Sequence, residues 1–493
     1  MIRPPNDMLG LLPPEAIQRH RIVPLALEGT TLQIGVVETP TATLLRDLAF
    51  LTGKTIVPVK VDRAEIDAFL EEHVSGVPEG IAPMRDVVRG IEVRDYEAGH
   101  QTPTAEVRIL LQGSVVQQVN TLIERAITKQ ASDIHIEPYE ASYRVRFRLD
   151  GVLNTTAEIS LLQRDALISR LKIMASLDIA EKRRPQDGRI RYQHAGRTID
   201  LRVSSLPTDF GEKLVLRLLD KSHLKLELGA LGFEAADLHT FREAIHQPYG
   251  IILVSGPTGS GKTTTLYAAL NELNTDAVNI TTIEDPIEYN LPGINQTHVR
   301  ADIGFTFAQA LRAFLRQDPN IIMVGEIRDR ETAEIAIRAA LTGHLVLSTI
   351  HTNDAPSTIT RLIEMGVEPF LVASSLRLAV AQRLVRCICV RCREEAEPDP
   401  ALLQALPLHD GGPVYRGRGC AACQGTGYQG RTALFEVLPV SAMTAELIVQ
   451  RVPIHALRQQ AREEGLPSLR MAAIKKMQTG ITTPEEVLRE TSL

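Results

Sequence analysis

Residues 256–263 read Gly-Pro-Thr-Gly-Ser-Gly-Lys-Thr, which fits the phosphate-gripping spacing G-x-x-x-x-G-K-[ST]. Gly256, Gly259 and Gly261 let backbone N–H groups approach phosphate oxygens where a Cβ would obstruct them. Pro257, Thr258 and Ser260 fill the turn between them. Lys262 is placed to reach the β- and γ-phosphates, and the Thr263 hydroxyl is a ligand for Mg2+. Thr264 leads into a helix whose N-terminus adds positive partial charge. The ligand implied is ATP with Mg2+.

Hydrolysis also needs a carboxylate on the metal side and an activated water. The apolar run 321–324 ends at Gly325 and Glu326, a Walker-B-like pattern with Gly-Glu where Asp is common. Glu326 must then hold the metal through water or polarise the attacking water. A second apolar run, 280–283, ends at Glu284, followed by Asp285 and Pro286. Ligands sit at strand ends in open α/β sheets, so both acids should converge on the loop. A third run, 345–348, is followed by His351, where an imidazole could sense the γ-phosphate.

A separate chemistry lies further on. Cys389 and Cys392, then Cys420 and Cys423, form two C-x-x-C pairs with residues 393–419 between them. Four thiolates at that spacing suit a closed tetrahedral Zn2+ site with no room for catalysis. Cys387, the fifth cysteine, is left over.

The elements that must position these groups follow from hydrophobic period. Residues 1–75 read as a small α/β unit, with helices at 13–20, 41–51 and 63–73 and strands at 21–27, 31–37 and 54–61. It holds no catalytic constellation and reads as a docking domain. Residues 76–105, richer in Gly, Pro and charge, read as a linker. Residues 106–228 read as a PAS-like α+β domain, with helices at 114–129 and 161–177 and strands at 133–137, 142–149, 189–194, 198–206 and 213–219. Residues 229–385 alternate strand, loop and helix, the grammar of an open sheet around a P-loop. Residues 386–433 hold the cysteines, and 434–493 are mostly helical, with a capping-box start at Thr483. The fold class expected is α/β: a RecA-like P-loop domain preceded by the other two, with a zinc insertion and a helical C-terminal region.

Composition narrows the function. With 493 residues, 54 Lys+Arg against 60 Asp+Glu, a net charge of −6, 4% aromatics and no Trp, the chain lacks the basic excess and stacking groups of a nucleic-acid binder. A DNA translocase or helicase is thereby disfavoured, and no nucleic-acid partner is expected. No apolar stretch approaches the ~20 residues of a membrane span, and the N-terminus lacks a signal-peptide core. The expected place is the cytoplasm, docked to a membrane through a partner.

At this point several motifs match one family together. The loop GPTGSGKTTTLY, the acidic ITTIEDPIEY, the long segment 311–355 and the paired C-x-x-C resemble the type II/type IV secretion ATPase family over roughly residues 110–490. Within it the chain is most similar to the type II secretion motors. The resemblance implies a homohexamer that couples ATP hydrolysis to pseudopilus assembly and protein export, with pilus extension as the alternative. It implies a bitopic inner-membrane partner for residues 1–75, a polytopic platform protein, and bound ATP, Mg2+ and Zn2+. Residue by residue, it makes Glu284 of the Asp box (280–289) the water-orienting acid and Glu326 the Walker B acid. It puts His351, together with His344, in the His box (342–353). It makes Arg202 and Arg217 of the second domain, with Arg312 and Arg316 of the nucleotide domain, contacts for nucleotide phosphate. One departure is Lys213, where relatives carry Arg, which loses planar bidentate geometry at that position.

Overall fold

The computed structural model describes residues 22–29, 31–37, 54–62, 114–220, 226–397 and 413–491, with isolated positions between 40 and 66 and between 402 and 406. The chain divides into two compact units, Met1–Gln101 and Thr102–Leu493. Of the helices expected in the first unit, 13–20 lies outside the described residues and so do most of 41–51 and 63–73, as does the linker 76–105.

In the first unit β1 (Val23–Glu28) turns at Gly29 into antiparallel β2 (Thr31–Val36), and β3 (Thr55–Lys60) runs parallel to β2. Gly29 sits at φ 62°, a turn conformation that glycine adopts without a Cβ clash. Leu32, Ile34 and Val36 alternate inward with Ile22, Val23, Leu48 and Ile66 to make a small core.

The second unit begins with α1 (Val115–Thr128). Ser114 and Gln117 cap its start reciprocally, satisfying two helix-end N–H groups. Six antiparallel strands follow: β4 (Asp133–Pro138), β5 (Tyr143–Leu149), β6 (Val152–Ile159), β7 (Gln186–His194), β8 (Arg197–Thr208) and β9 (Gly211–Leu219), in the order β6-β5-β4-β9-β8-β7. Helix α2 (Leu161–Met174) packs with α1 on one face, over Ile134, Phe147, Leu201 and Leu216. The other face carries Asp133, Arg202 and Arg217, because strand side chains alternate with a period of two. Strand β6 was not expected from sequence. Its Asn-Thr-Thr centre breaks the alternation, and it is held by pairing to β5.

Next come α3 (Ala235–Ile245), β10 (Gly250–Ser255), α4 (Lys262–Leu273), β11 (Ile280–Glu284), β12 (Asn295–His298), α5 (Phe307–Phe314), β13 (Ile321–Val324), α6 (Arg330–Leu341), β14 (Leu345–Ile350), α7 (Ala355–Glu364) and α8 (Pro369–Ser375). Strand β10 lies parallel between β14 and β15 (Leu376–Ile388), and β11 lies parallel between β12 and β13. The full order is β12-β11-β13-β14-β10-β15-β18, with β18 (Tyr428–Pro439) antiparallel to β15. Helices cover both faces. Ile251 and Leu253 of β10 enter one core and Ile252 and Val254 the other, so the strand reads as an unbroken apolar run.

One boundary moves. A separate cysteine segment was expected to begin at 386, but β15 runs unbroken to Ile388 and β18 already starts at Tyr428. The cysteines therefore sit at the tip of a long strand pair belonging to the main sheet, closed by β16 (Arg393–Ala396) and β17 (Val414–Gly417). Helices α9 (Ala442–Val449), α10 (Ile454–Glu463), α11 (Leu469–Gln478) and α12 (Pro484–Thr491) complete the chain. No helix among the described residues is long and apolar enough to cross a membrane.

Candidate active site

The phosphate loop joins β10 to α4. Gly256 and Gly261 have φ of 147° and 87°, values that only glycine adopts without strain. Both are also crowded by β15. A Cβ on Gly256 would stand 2.5 Å from the Gln382 carbonyl oxygen, and one on Gly261 would stand 2.9 Å from Gln382 Nε2. Gly259 meets nothing within 4 Å, so its φ of 83° alone demands glycine. Pro257, Thr258 and Gly259 are exposed, Ser260 is buried, and Thr263 and Thr264 are half-buried at the head of α4.

Lys262 is 9% exposed, and its Nζ donates to the carbonyls of Gly256 at 2.8 Å and Pro257 at 3.1 Å. Burial pulls its ammonium down to about 8, and Arg383 adds to this while Glu326 opposes it. A poorly solvated ammonium in a cage of carbonyls is primed for a polyanion, which compensates its charge better than neutral dipoles do. The hydroxyls of Ser255 and Ser260 are buried with no partner among the described residues, at the strand end and in the loop itself.

The structure brings Glu326, Arg328 and His351 together where β13 and β14 end. Glu326 is ion-paired to Arg328, and His351 Nε2 lies 3.6 Å from Glu326 Oε2. Ser348 Oγ donates to Val324 O at 2.8 Å, and Thr349 Oγ1 to Gly325 O at 2.7 Å, fixing the turn that carries Glu326. His344 stands at the opposite end of β14, with Nδ1 3.0 Å from Ala339 O at the end of α6. It is a helix-end contact, remote from the strand ends where the ligand belongs.

Glu284, expected as the water-orienting acid, lies at the end of β11. It is 2% exposed, with its carboxylate turned inward. It accepts hydrogen bonds from Tyr267, from Thr282 Oγ1 at 2.7 Å and from Gln296 Nε2 at 3.0 Å. Burial, reinforced by the Glu284 charge, pushes the Tyr267 phenol upward, so Tyr267 stays a donor. The carboxylate is thus held as an anchor between α4, β11 and β12. These bonds use three of the carboxylate's roughly four acceptor positions.

The arginines divide. Arg202 reaches from β8 to the Asp-box loop, donating to Ile287 O at 2.9 Å and pairing with Glu288 at 3.1 Å. Arg217 lies beside it in register on β9, but is bonded to Asp133 at 3.1 Å. Arg312 is paired with Glu331 and donates nothing to the loop, and Arg316 donates to Arg312 O at 2.8 Å. Both belong to the exposed end of α5 and the turn after it. Lys213 pairs with Glu137 at 3.3 Å, a contact within its own sheet.

Residue types alone did not single out Tyr267, Gln296, Arg328, Arg383 or Gln382. A polar residue inside an apolar strand was the available signal for Gln382, since a buried amide requires partners.

Among the described residues, the cysteines form the one cluster suited to a metal. The sulfurs of Cys389, Cys392, Cys420 and Cys423 all lie within 4.8 Å of one another. Sγ–Sγ distances are 3.9 Å for Cys389–Cys420, 3.8 Å for Cys392–Cys423 and 3.7 Å for Cys420–Cys423. A tetrahedron with Zn–S of about 2.3 Å has edges of about 3.8 Å, so the set fits zinc. Burial works against a Cys423 thiolate. The N–H groups of Cys420 and Gly427, at 3.1 and 3.3 Å, together with the neighbouring thiols of Cys420 and Cys392, outweigh it and bring Cys423 down to about 6. A Cβ on Gly417 would stand 2.0 Å from Gly427 O, so the strands flanking the cluster close up through paired glycines.

Comparison with known proteins agrees with this geometry. Residues 111–489 match the family described as type II/IV secretion system protein, and residues 2–79 match the MshEN domain. The type IV pilus assembly ATPase PilB of Myxococcus xanthus is 48% identical, covering 99% of this chain and 87% of its own length. The type II secretion system ATPase E of Vibrio cholerae is 49% identical, covering 76% of this chain and 75% of its own length. The crystal structure of the pilus retraction motor PilT with bound ADP superposes with a TM-score of 0.51 at 27% identity, covering 75% of this chain and 95% of that one. The phosphate loop, the Walker-B-like turn and the full-length match together make this chain a member of the type II/IV secretion system protein family and an ATP hydrolase.

Proposed function

We propose that the chain is a cytoplasmic motor which, as a homohexamer at the inner membrane, uses ATP hydrolysis to build a pilin-type filament, with type IV pilus extension as the first reading. The observation that carries it is the reach of the match. Pilus assembly ATPases align over 99% and 96% of this chain, N-terminal unit included. Percentage identity does not discriminate, being 48% over 99% of the chain to one pilus relative and 49% over 76% of it to a secretion relative.

Type II secretion is the second reading. It rests on relatives 52% and 50% identical over 76% of the chain. Deleting the gene in its source bacterium separates the two. Loss of surface pili with normal export supports pilus extension, and retained pili with lost export overturns it.

In the site, Lys262 exchanges the carbonyls of Gly256 and Pro257 for the β- and γ-phosphates. Thr263 and Glu326 are the groups suited to Mg2+, which supplies charge neutralisation between the phosphates when bound. Glu326, partly buried beside the exposed His351, polarises the attacking water, and Glu284 positions the strand end. Arg202, swung off Glu288 when the domains close on nucleotide, stabilises charge developing on the γ-phosphate. Residues 1–75 dock to a bitopic inner-membrane protein, and the ring bears on a polytopic platform protein. A pull-down with residues 1–75 deleted tests the docking, and retained capture of the bitopic partner counts against it.

A further inference from the structure

Gln382 interrupts the apolar centre of β15, after Leu378, Ala379, Val380 and Ala381, and is 2% exposed. A buried carboxamide is costly unless its donors and acceptor are paired, and an apolar residue would fill the strand more simply. Both of its bonds end on the phosphate-binding element. Its oxygen accepts from Thr265 Oγ1 at 2.8 Å, in the first turn of α4. Its Nε2 donates to Ser260 O at 2.8 Å, inside the loop.

The close approach of Gln382 to two loop glycines completes the contact. The Gln382 main-chain carbonyl crowds Gly256 at one end of the loop, and its side-chain Nε2 crowds Gly261 at the other. One side chain thus fastens the loop and the helix it feeds to a strand far along the sequence. The loop itself has few internal bonds. Lys262 Nζ donates to two of its carbonyls, and those are the bonds that phosphate must displace. What keeps its N–H groups converged while Lys262 changes partner must lie outside the loop, and Gln382 is placed to do it.

We propose that Gln382 is a positioning residue for nucleotide binding, a clamp that pre-forms the phosphate loop from β15. Its action is on ground state and transition state alike, because the loop grips the polyphosphate throughout the reaction. Such uniform binding appears in KM and leaves kcat nearly unchanged. The inference rests on ATP hydrolysis and is the same for either filament.

The test uses the full-length, zinc-loaded protein, with ADP affinity measured by calorimetry and steady-state ATP hydrolysis alongside. Gln382→Met keeps the volume and removes both bonds. It should weaken ADP binding and raise KM about ten-fold, the scale of losing a pair of ordinary hydrogen bonds, with kcat within about three-fold. Thr265→Val should give a smaller rise, and the double variant should be no worse than Gln382→Met alone, since the two residues act as one unit. Zinc content and melting temperature establish that each variant is folded. A folded Gln382→Met protein that binds ADP within about two-fold of wild type overturns the proposal. So does a fall in kcat at constant KM, or a double variant whose defects multiply. If Gln382→Met does not fold, Thr265→Val decides, and an unchanged KM there overturns the proposal equally.

Discussion

Replacing Lys262 by Met should destroy nucleotide binding and yet, at neutral pH, leave the nucleotide-free protein at least as stable as wild type. Burial lowers the ammonium from 10.5 to about 8. At about 1.4 kcal/mol per pH unit, holding that charge in the folded state costs about 3 kcal/mol. Two hydrogen bonds to the carbonyls of Gly256 and Pro257 return about 1 kcal/mol each. The variant should therefore gain about 1 kcal/mol at pH 7. The sign follows from linkage. Between about 8 and 10.5 the unfolded chain holds more protons at this lysine than the folded one, so wild-type stability rises with pH in that window. The destabilisation is fully present below the lower value and is gone above the higher. Other titrations are common to both proteins and cancel in the difference. Denaturant unfolding of the two without nucleotide, from pH 7 to 10, should show the variant's advantage shrinking and then reversing, by about 3 kcal/mol in all. Parallel curves would refute the claim that this ammonium is strained by burial. Nucleotide must be rigorously absent, since it stabilises wild type alone.

Glu326→Gln should bind ATP with near-normal affinity and lower kcat by a hundred-fold or more, on the order expected for losing the group that polarises water; unchanged turnover in a phosphate-release assay would remove that role. Tyr267→Phe should destabilise the protein by about 1–3 kcal/mol, because the inward Glu284 carboxylate loses a donor, read by denaturant midpoint. Cys392→Ser should abolish stoichiometric zinc in elemental analysis and lower the melting temperature, while leaving the phosphate loop's residues untouched; full zinc retention would refute the four-sulfur site. Arg202→Lys should cut turnover about ten-fold or more with little change in ADP affinity, since an ammonium cannot reproduce the planar, two-pronged grip of a guanidinium on the γ-phosphate.

Much of this chain's chemistry is local in sequence, and that portion was legible from residue types. The loop 256–263 needs its glycines for φ and close approach, and both needs are written in the residues themselves. The paired C-x-x-C brings two sulfurs together within a single turn each, so a metal-binding set was apparent before any fold. The strands β10, β13 and β14 carry unbroken apolar runs because helices cover both faces of the sheet, and they were expected within a residue or two. Glu326 and His351 follow such strands directly, and parallel neighbours place those ends side by side.

What lay beyond the sequence is the set of contacts made across strands and between domains. Whether Glu284 faces water or protein depends on Tyr267 and Gln296, donors from two other elements, and the letters at 280–289 cannot reveal them. Arg202 and Arg217 look alike in sequence. The sheet register makes them neighbours, and the surrounding acids then send one to the Asp-box loop and keep the other on Asp133. His344 and His351 differ in role because a six-residue strand separates them and carries them to opposite ends of the sheet. Spacing and residue type determined which chemistry is present, since phosphate and metal geometry impose short-range rules. Tertiary structure decided which charged groups are free to act, because burial and partner choice depend on atoms more than a hundred residues away, as in the bond from Thr265 to Gln382.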